Sequence, residues 1–123
     1  MNYFKADVPI YLQLRQEIEE QILDKVLKEE DQLKSYRALA AEYRINPITV
    51  GNAINALVAE GVLYQKRGVG VFVAAKARET IIRSRRQSFM EETLEPTLKL
   101  ARSYEIPLEE ILKMSKSIYG EEK

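Results

Sequence analysis

The chain has no cysteine, no histidine and no tryptophan among its 123 residues. Without cysteine there is no disulfide framework, no thiolate nucleophile and no soft metal ligand. Without histidine the commonest general base and the commonest transition-metal ligand are missing. Carboxylates remain at Glu19–Glu20, Glu29–Glu30–Asp31 and Glu91–Glu92. Neighbours on a helix point about 100° apart, so these pairs do not converge on one substrate and read as solvated faces. No enzyme, metal site or cofactor is expected. Long apolar runs are also absent, since none approaches the roughly 18–20 residues that span a bilayer. The first residues lack the basic stretch and apolar core of a secretory signal. A cytoplasmic protein with no membrane partner is expected.

Charge is balanced, with 19 basic and 19 acidic side chains, but unevenly placed. Residues 1–32 carry four basic and eight acidic groups, residues 33–73 five and two, and residues 74–123 ten and nine. The middle of the chain is a locally basic segment behind an acidic helix, a modest electrostatic footprint for a nucleic-acid partner. With 46% hydrophobic residues the chain has enough apolar material to fold.

Periodicity divides the chain. Ile10, Leu14, Ile18, Ile22 and Val26 recur every four residues after Pro9, predicting an amphipathic helix with Pro9 at its start and Asp7 as a candidate cap. Residues 27–34 lose the period and read as a loop anchored by Leu33. A second helix opens at Ser35, with Leu39, Ala40 and Tyr43 facing inward. After a short break at Arg44–Ile45, Asn46 as N-cap and Pro47 at the first helical position start a third. Its buried stripe is Val50, Ala53, Ile54, Leu57 and Val58, and Gly61 ends it. Two short helices so spaced form a helix-turn-helix.

Beyond Gly61 the period changes to two. Val62–Lys66 and Val71–Ala74 flank Arg67-Gly68-Val69-Gly70, predicting a β-hairpin with a basic tip. Three helices and a hairpin make a winged helix. From Ala74 a helical stretch runs to about Ser103, with Pro96 expected to kink or divide it. A last helix opens at Pro107 and ends at Gly120. This extension is too small to enclose its own core or a roomy ligand pocket. Its apolar residues, Ile82, Phe89, Leu94, Leu98, Leu108, Ile111, Leu112 and Ile118, are expected to meet a second copy in a homodimer. The expected fold is mainly α with a small β-hairpin: a winged helix-turn-helix domain over residues 1–74 and a two-helix dimerisation region over 75–123.

A recognition helix places its first residues in the major groove, where base edges differ. Here these are Asn46, Ile48 and Thr49, with Asn52 one turn on. Asn52 suits a bidentate pair with adenine, Ile48 a thymine methyl, and Thr49 a phosphate oxygen. Ser35 and Arg37 would approach the backbone from the second helix, with a salt bridge to Glu42 or to an acid of the first helix as the alternative for Arg37. At the wing, Arg67 beside Gly68 suits a narrow minor groove and Lys66 a phosphate. Arg83, Arg85 and Arg86 read as a solvated patch or a dimer rim.

The motifs Val8-Pro9-Ile10-Tyr11, Leu33-Lys34-Ser35-Tyr36-Arg37-Ala38-Leu39-Ala40, Asn46-Pro47-Ile48-Thr49-Val50, Glu60-Gly61-Val62-Leu63 and Lys66-Arg67-Gly68-Val69-Gly70-Val71-Phe72-Val73 together resemble the GntR family of bacterial repressors. The short helical extension is similar to that of the YtrA-type subfamily. The resemblance implies a homodimer on a pseudo-palindromic operator, with DNA contacts at Arg37, Thr49, Arg67 and Gly68, often repressing its own operon beside transporter genes. This chain departs from the family pattern at Lys34, where proline is usual, and at Ile48, Gly51 and Asn52, where relatives often carry polar or basic residues. Those departures favour a second reading, a winged-helix protein-interaction module that has lost operator binding. A small-molecule effector, if one exists, is expected to act at a hinge around residues 74–82.

Overall fold

The computed structural model describes residues 7–120. Helix α1 spans Ile10–Leu23, and Leu14, Ile18 and Ile22 lie buried on the stripe expected for them. Both ends of that stripe differ from expectation. Pro9 is the N-cap, no side chain caps the helix, and Ile10 is exposed. The helix stops at Leu23, and Lys25 turns into the left-handed region at φ 63°, so Val26 is 68% exposed. A four-residue period continues past the point where the backbone leaves the helix.

Helix α2 spans Tyr36–Tyr43, and the Ser35 hydroxyl accepts from the Ala38 N–H at 3.0 Å. Helix α3 spans Pro47–Ala59, with the Asn46 side chain accepting from the Ile48 N–H at 2.8 Å and proline in the first turn. Both caps satisfy amide groups that would otherwise lack a helical partner. Between the two helices Arg44 takes φ 57°, closing a tight turn in a conformation that side chains other than glycine adopt at a cost. Gly61, at φ 79°, ends α3 and redirects the chain into the hairpin.

Strands β1, Leu63–Lys66, and β2, Gly70–Val73, pair antiparallel with Leu63 opposite Val73 and Lys66 opposite Gly70. The segment before α2 is more than a loop. The Glu30 and Leu33 N–H groups donate to the Val73 and Val71 carbonyls at 2.8 Å, and Gln32 bridges to Phe72, so residues 30–33 line the outer edge of β2. This covers an edge that would otherwise present unpaired backbone groups.

One core serves α1, α2, α3, the hairpin and the start of helix α4, which spans Ala77–Phe89. Its buried members include Leu14, Val50, Ile54, Leu57, Val62, Leu63 and Val73, and it extends to Ala77 and Ile81. The described residues up to Arg83 form one compact unit and those from Ser84 onward a second. The division falls inside α4 rather than at residue 74, because Ala77 and Ile81 complete the first core. The stretch 74–82, expected as a hinge, is therefore packed: Ala77 is buried, and the Ala74 N–H donates to the Val62 carbonyl at 3.0 Å.

In the second unit the helix continues through a π turn over Met90–Leu94 into α5, Glu95–Ser103. Pro96 neither breaks nor ends the helix. The wider π turn lies just ahead of it, where the proline ring would otherwise meet the carbonyl of residue 92. The Thr97 hydroxyl donates to the Thr93 carbonyl at 2.6 Å, satisfying one acceptor near the disturbance. Helix α6, Leu108–Tyr119, opens after Pro107 and closes on Gly120 at φ 81°, as the start and stop signals predicted. Among the described residues from Ser84 onward, no side chain is buried.

Candidate nucleic-acid interface

The exposed surface of the first unit is organised around the start of α3. Ile48 is 73% exposed, Asn46 and Asn52 are exposed, and Thr49 is half-buried. The inward face of the same helix holds Val50, Ala53, Ile54 and Leu57. Helix α1 packs on this inward side, as does α2, so α3 is fixed along its length while its first turn looks outward. The amide groups at that end carry the partial positive charge of a helix N-terminus, which suits phosphate.

Arg37 lies exposed in the first turn of α2. The salt bridge considered for it does not form, because Glu42 is taken by Lys34 at 2.6 Å. That contact, through its hydrogen bond and its charge, raises the Lys34 pKa above the ordinary lysine value. Lys34 is thus engaged within the chain, while Arg37 has no ion-pair partner among the described residues. Elsewhere Arg15 of α1 bonds Glu60, the C-cap of α3, at 2.5 Å and lies 3.9 Å from Glu19.

At the wing, Arg67 and Gly68 are exposed at the turn, and Gly68 has φ 77°. The Lys66 ammonium sits 5.1 Å from the Phe72 ring centroid, a cation–π contact that steers it along the hairpin, and Phe72 stacks on Tyr64. The Tyr64 hydroxyl bonds the Glu30 carboxylate, which raises its pKa. Gln32 donates to the Val69 carbonyl at 3.0 Å, bracing the tip from the neighbouring segment. It occupies the space beside Gly70, where a β-carbon would come within 2.5 Å of its amide nitrogen.

Gly51 has a structural role that spacing alone did not reveal. It is buried, and the Tyr36 ring lies over it, 3.5 Å from where a β-carbon would stand. The Tyr36 hydroxyl in turn accepts from the Gln65 side-chain amide of β1 at 3.1 Å. Tyr36 and Gln65 are residues that the motifs did not single out. Their signal was indirect: a glycine in the middle of a helix needs a reason, and an aromatic residue beside Ser35 and Arg37 supplies one.

The match to known proteins fits this arrangement. The family model described as "Bacterial regulatory proteins, gntR family" matches residues 10–73, from α1 through the hairpin. The chain belongs to the GntR family. GntR proteins are transcription regulators rather than enzymes, and this member carries the family's winged-helix DNA-binding domain. Its likeness to YtrA-type members extends through the helical extension: it is 29% identical to the HTH-type transcriptional repressor YtrA of Bacillus subtilis (strain 168), covering 97% of this chain and 91% of that protein. The crystal structure of a putative GntR-family regulator from Bacteroides thetaiotaomicron superposes with a TM-score of 0.79 at 31% identity, covering 93% of this chain and 99% of the other. The DNA-binding domain of AraR, solved in complex with operator ORX1, is similar over 58% of this chain and 92% of that one, with 28% identity and a TM-score of 0.55.

Proposed function

We propose that the chain is a sequence-specific repressor that binds a pseudo-palindromic operator as a homodimer, each copy placing α3 in a major groove. The carrying observation is an α3 backed by α1 and α2 whose first turn is exposed, on the same unit as an exposed basic hairpin tip braced by Gln32. In this reading Asn52 reads a base edge and Ile48 packs on a thymine methyl, which gives its apolar exposure a use. Thr49 holds phosphate, as do Ser35, Arg37 and Lys66. Arg67, with Gly68 allowing close approach, enters the adjacent minor groove. The likeness to the AraR domain, which binds operator DNA, supports DNA binding by this unit.

The second unit supports the dimer. Phe89, Leu98, Leu108, Leu112 and Ile118 are exposed, and Leu94 and Ile111 are half-buried. A groove of about 430 Å³ runs along Met90, Leu94 and Leu98, edged by Glu91, Glu95, Lys99 and Arg102. So much exposed apolar surface on a small helical unit marks an interaction site, and a second copy covers it with two-fold symmetry. Ile82, proposed for the same interface, is half-buried and belongs to the first unit.

The test is binding to the DNA upstream of the chain's own gene, and to duplexes selected from a random pool, at two salt concentrations. The wild type binds tightly and salt-sensitively, and Arg67→Ala weakens binding. A folded, dimeric protein that binds neither would refute the reading.

A further inference from the structure

We propose that Tyr36 is a DNA-contacting strut that ties the recognition helix to the wing and donates its hydroxyl proton to a backbone phosphate. This rests on the DNA-binding reading above and adds a contact that motif comparison does not supply.

Three elements meet at this side chain. Tyr36 opens α2, between the cap Ser35 and the exposed Arg37. Its ring rests over Gly51, on the turn of α3 that carries Thr49 and Asn52. Its hydroxyl is held by Gln65, next along β1 from Lys66 and the wing tip. A duplex that receives α3 in its major groove and the wing in the neighbouring minor groove must pass one phosphate strand between them. That strand crosses the junction of α3 and β1, which the Tyr36–Gln65 bond spans.

The chemistry suits the position. A phenol that accepts one hydrogen bond still has its own O–H to donate. The Gln65 amide is the donor in the bond between them, so the Tyr36 proton is available to an acceptor outside, and Gln65 orients it. Gly51 completes the arrangement: a long side chain there would take the place of the ring.

The experiment compares the wild type with Tyr36→Phe, Gln65→Ala and Arg37→Ala on two duplexes, one selected by the wild type from random-sequence DNA and one unrelated. Tyr36→Phe keeps the ring on Gly51 and removes only the hydroxyl. It is expected to weaken binding to both duplexes about five- to tenfold, the scale of one lost hydrogen bond. The salt dependence should stay at the wild-type slope, because a neutral donor releases no counterion. Arg37→Ala, by contrast, should lower that slope by about one. Gln65→Ala should weaken binding about two- to threefold, since the hydroxyl remains but is no longer oriented. Thermal melting reports whether any loss is structural. If Tyr36→Phe binds both duplexes as tightly as the wild type, the assignment fails while the DNA-binding reading stands, and a lower melting temperature with unchanged affinity overturns it equally. If the wild type binds no duplex, both fall together.

Discussion

Between Leu14 and Ile81, sixteen apolar side chains are buried, while from Ser84 to Gly120 none is. Both regions contain amphipathic helices, and both carry leucine and isoleucine at helical spacing. What separates them is where those stripes point. In the first region α1 and α2 pack on α3, the hairpin closes over the same core, and each stripe finds another within the chain. In the second, the stripes of α5 and α6 stay open to solvent. The first region is a finished fold that presents polar groups outward, and the second an unfinished one whose missing half is, on the present reading, an identical chain.

Substitutions can break that contrast. The largest effect is expected inside the first core: Leu57→Ala removes a fully buried side chain and should cost about 2–5 kcal/mol, measured by urea denaturation. The same change at Leu98, which is exposed, should alter the stability of the winged unit by less than about 0.5 kcal/mol. It should instead weaken self-association, and Leu98→Asp should abolish it, as read by sedimentation equilibrium. Equal destabilisation at both sites would erase the distinction between the regions.

Gly51→Ala sharpens the comparison from the other side. An added β-carbon meets the Tyr36 ring at ordinary contact distance, so the gain in helix propensity should stabilise α3 by up to about 1 kcal/mol. DNA affinity should not change. Loss of stability on thermal melting would mean that the ring and α3 fit more tightly than this geometry allows.

The smallest effect is on pH dependence. With no histidine, no side chain titrates ordinarily between about pH 6 and 8, so stability should be flat there. Burial raises the pKa of Tyr43, and Glu42 raises that of Lys34. For a raised pKa, the contribution is complete below the unfolded-state value, near 10 for both groups, and is lost as pH rises through the folded value. On the alkaline side stability should therefore hold to about pH 10 and decline above it, in denaturation curves taken across that range. A decline near neutrality would contradict this.

Local signals made much of the winged unit legible. Asn46-Pro47 marked the start of α3 because cap and proline chemistry are set by neighbouring residues, and the glycines around Val69 marked the hairpin for the same reason. The end of α1 was not legible, since Lys25 turns left-handed with no glycine to announce it. Nor was the π turn before Pro96, where the helix absorbs the ring by widening. The inclusion of Ala77 and Ile81 in the first core depends on a packing partner, not on period. Gly51 shows the limit most clearly. As sequence it was a missing DNA contact, and as structure it is the seat of an aromatic ring from another helix. Contacts between residues far apart in the chain leave no periodic trace.

The most direct test of the central claim is stoichiometry on DNA. Sedimentation equilibrium of the chain with a duplex it has selected should give two chains per duplex, and Leu98→Asp should lose that complex while its winged unit still melts as in the wild type. A single chain per duplex, bound as tightly by Leu98→Asp as by the wild type, would contradict the account.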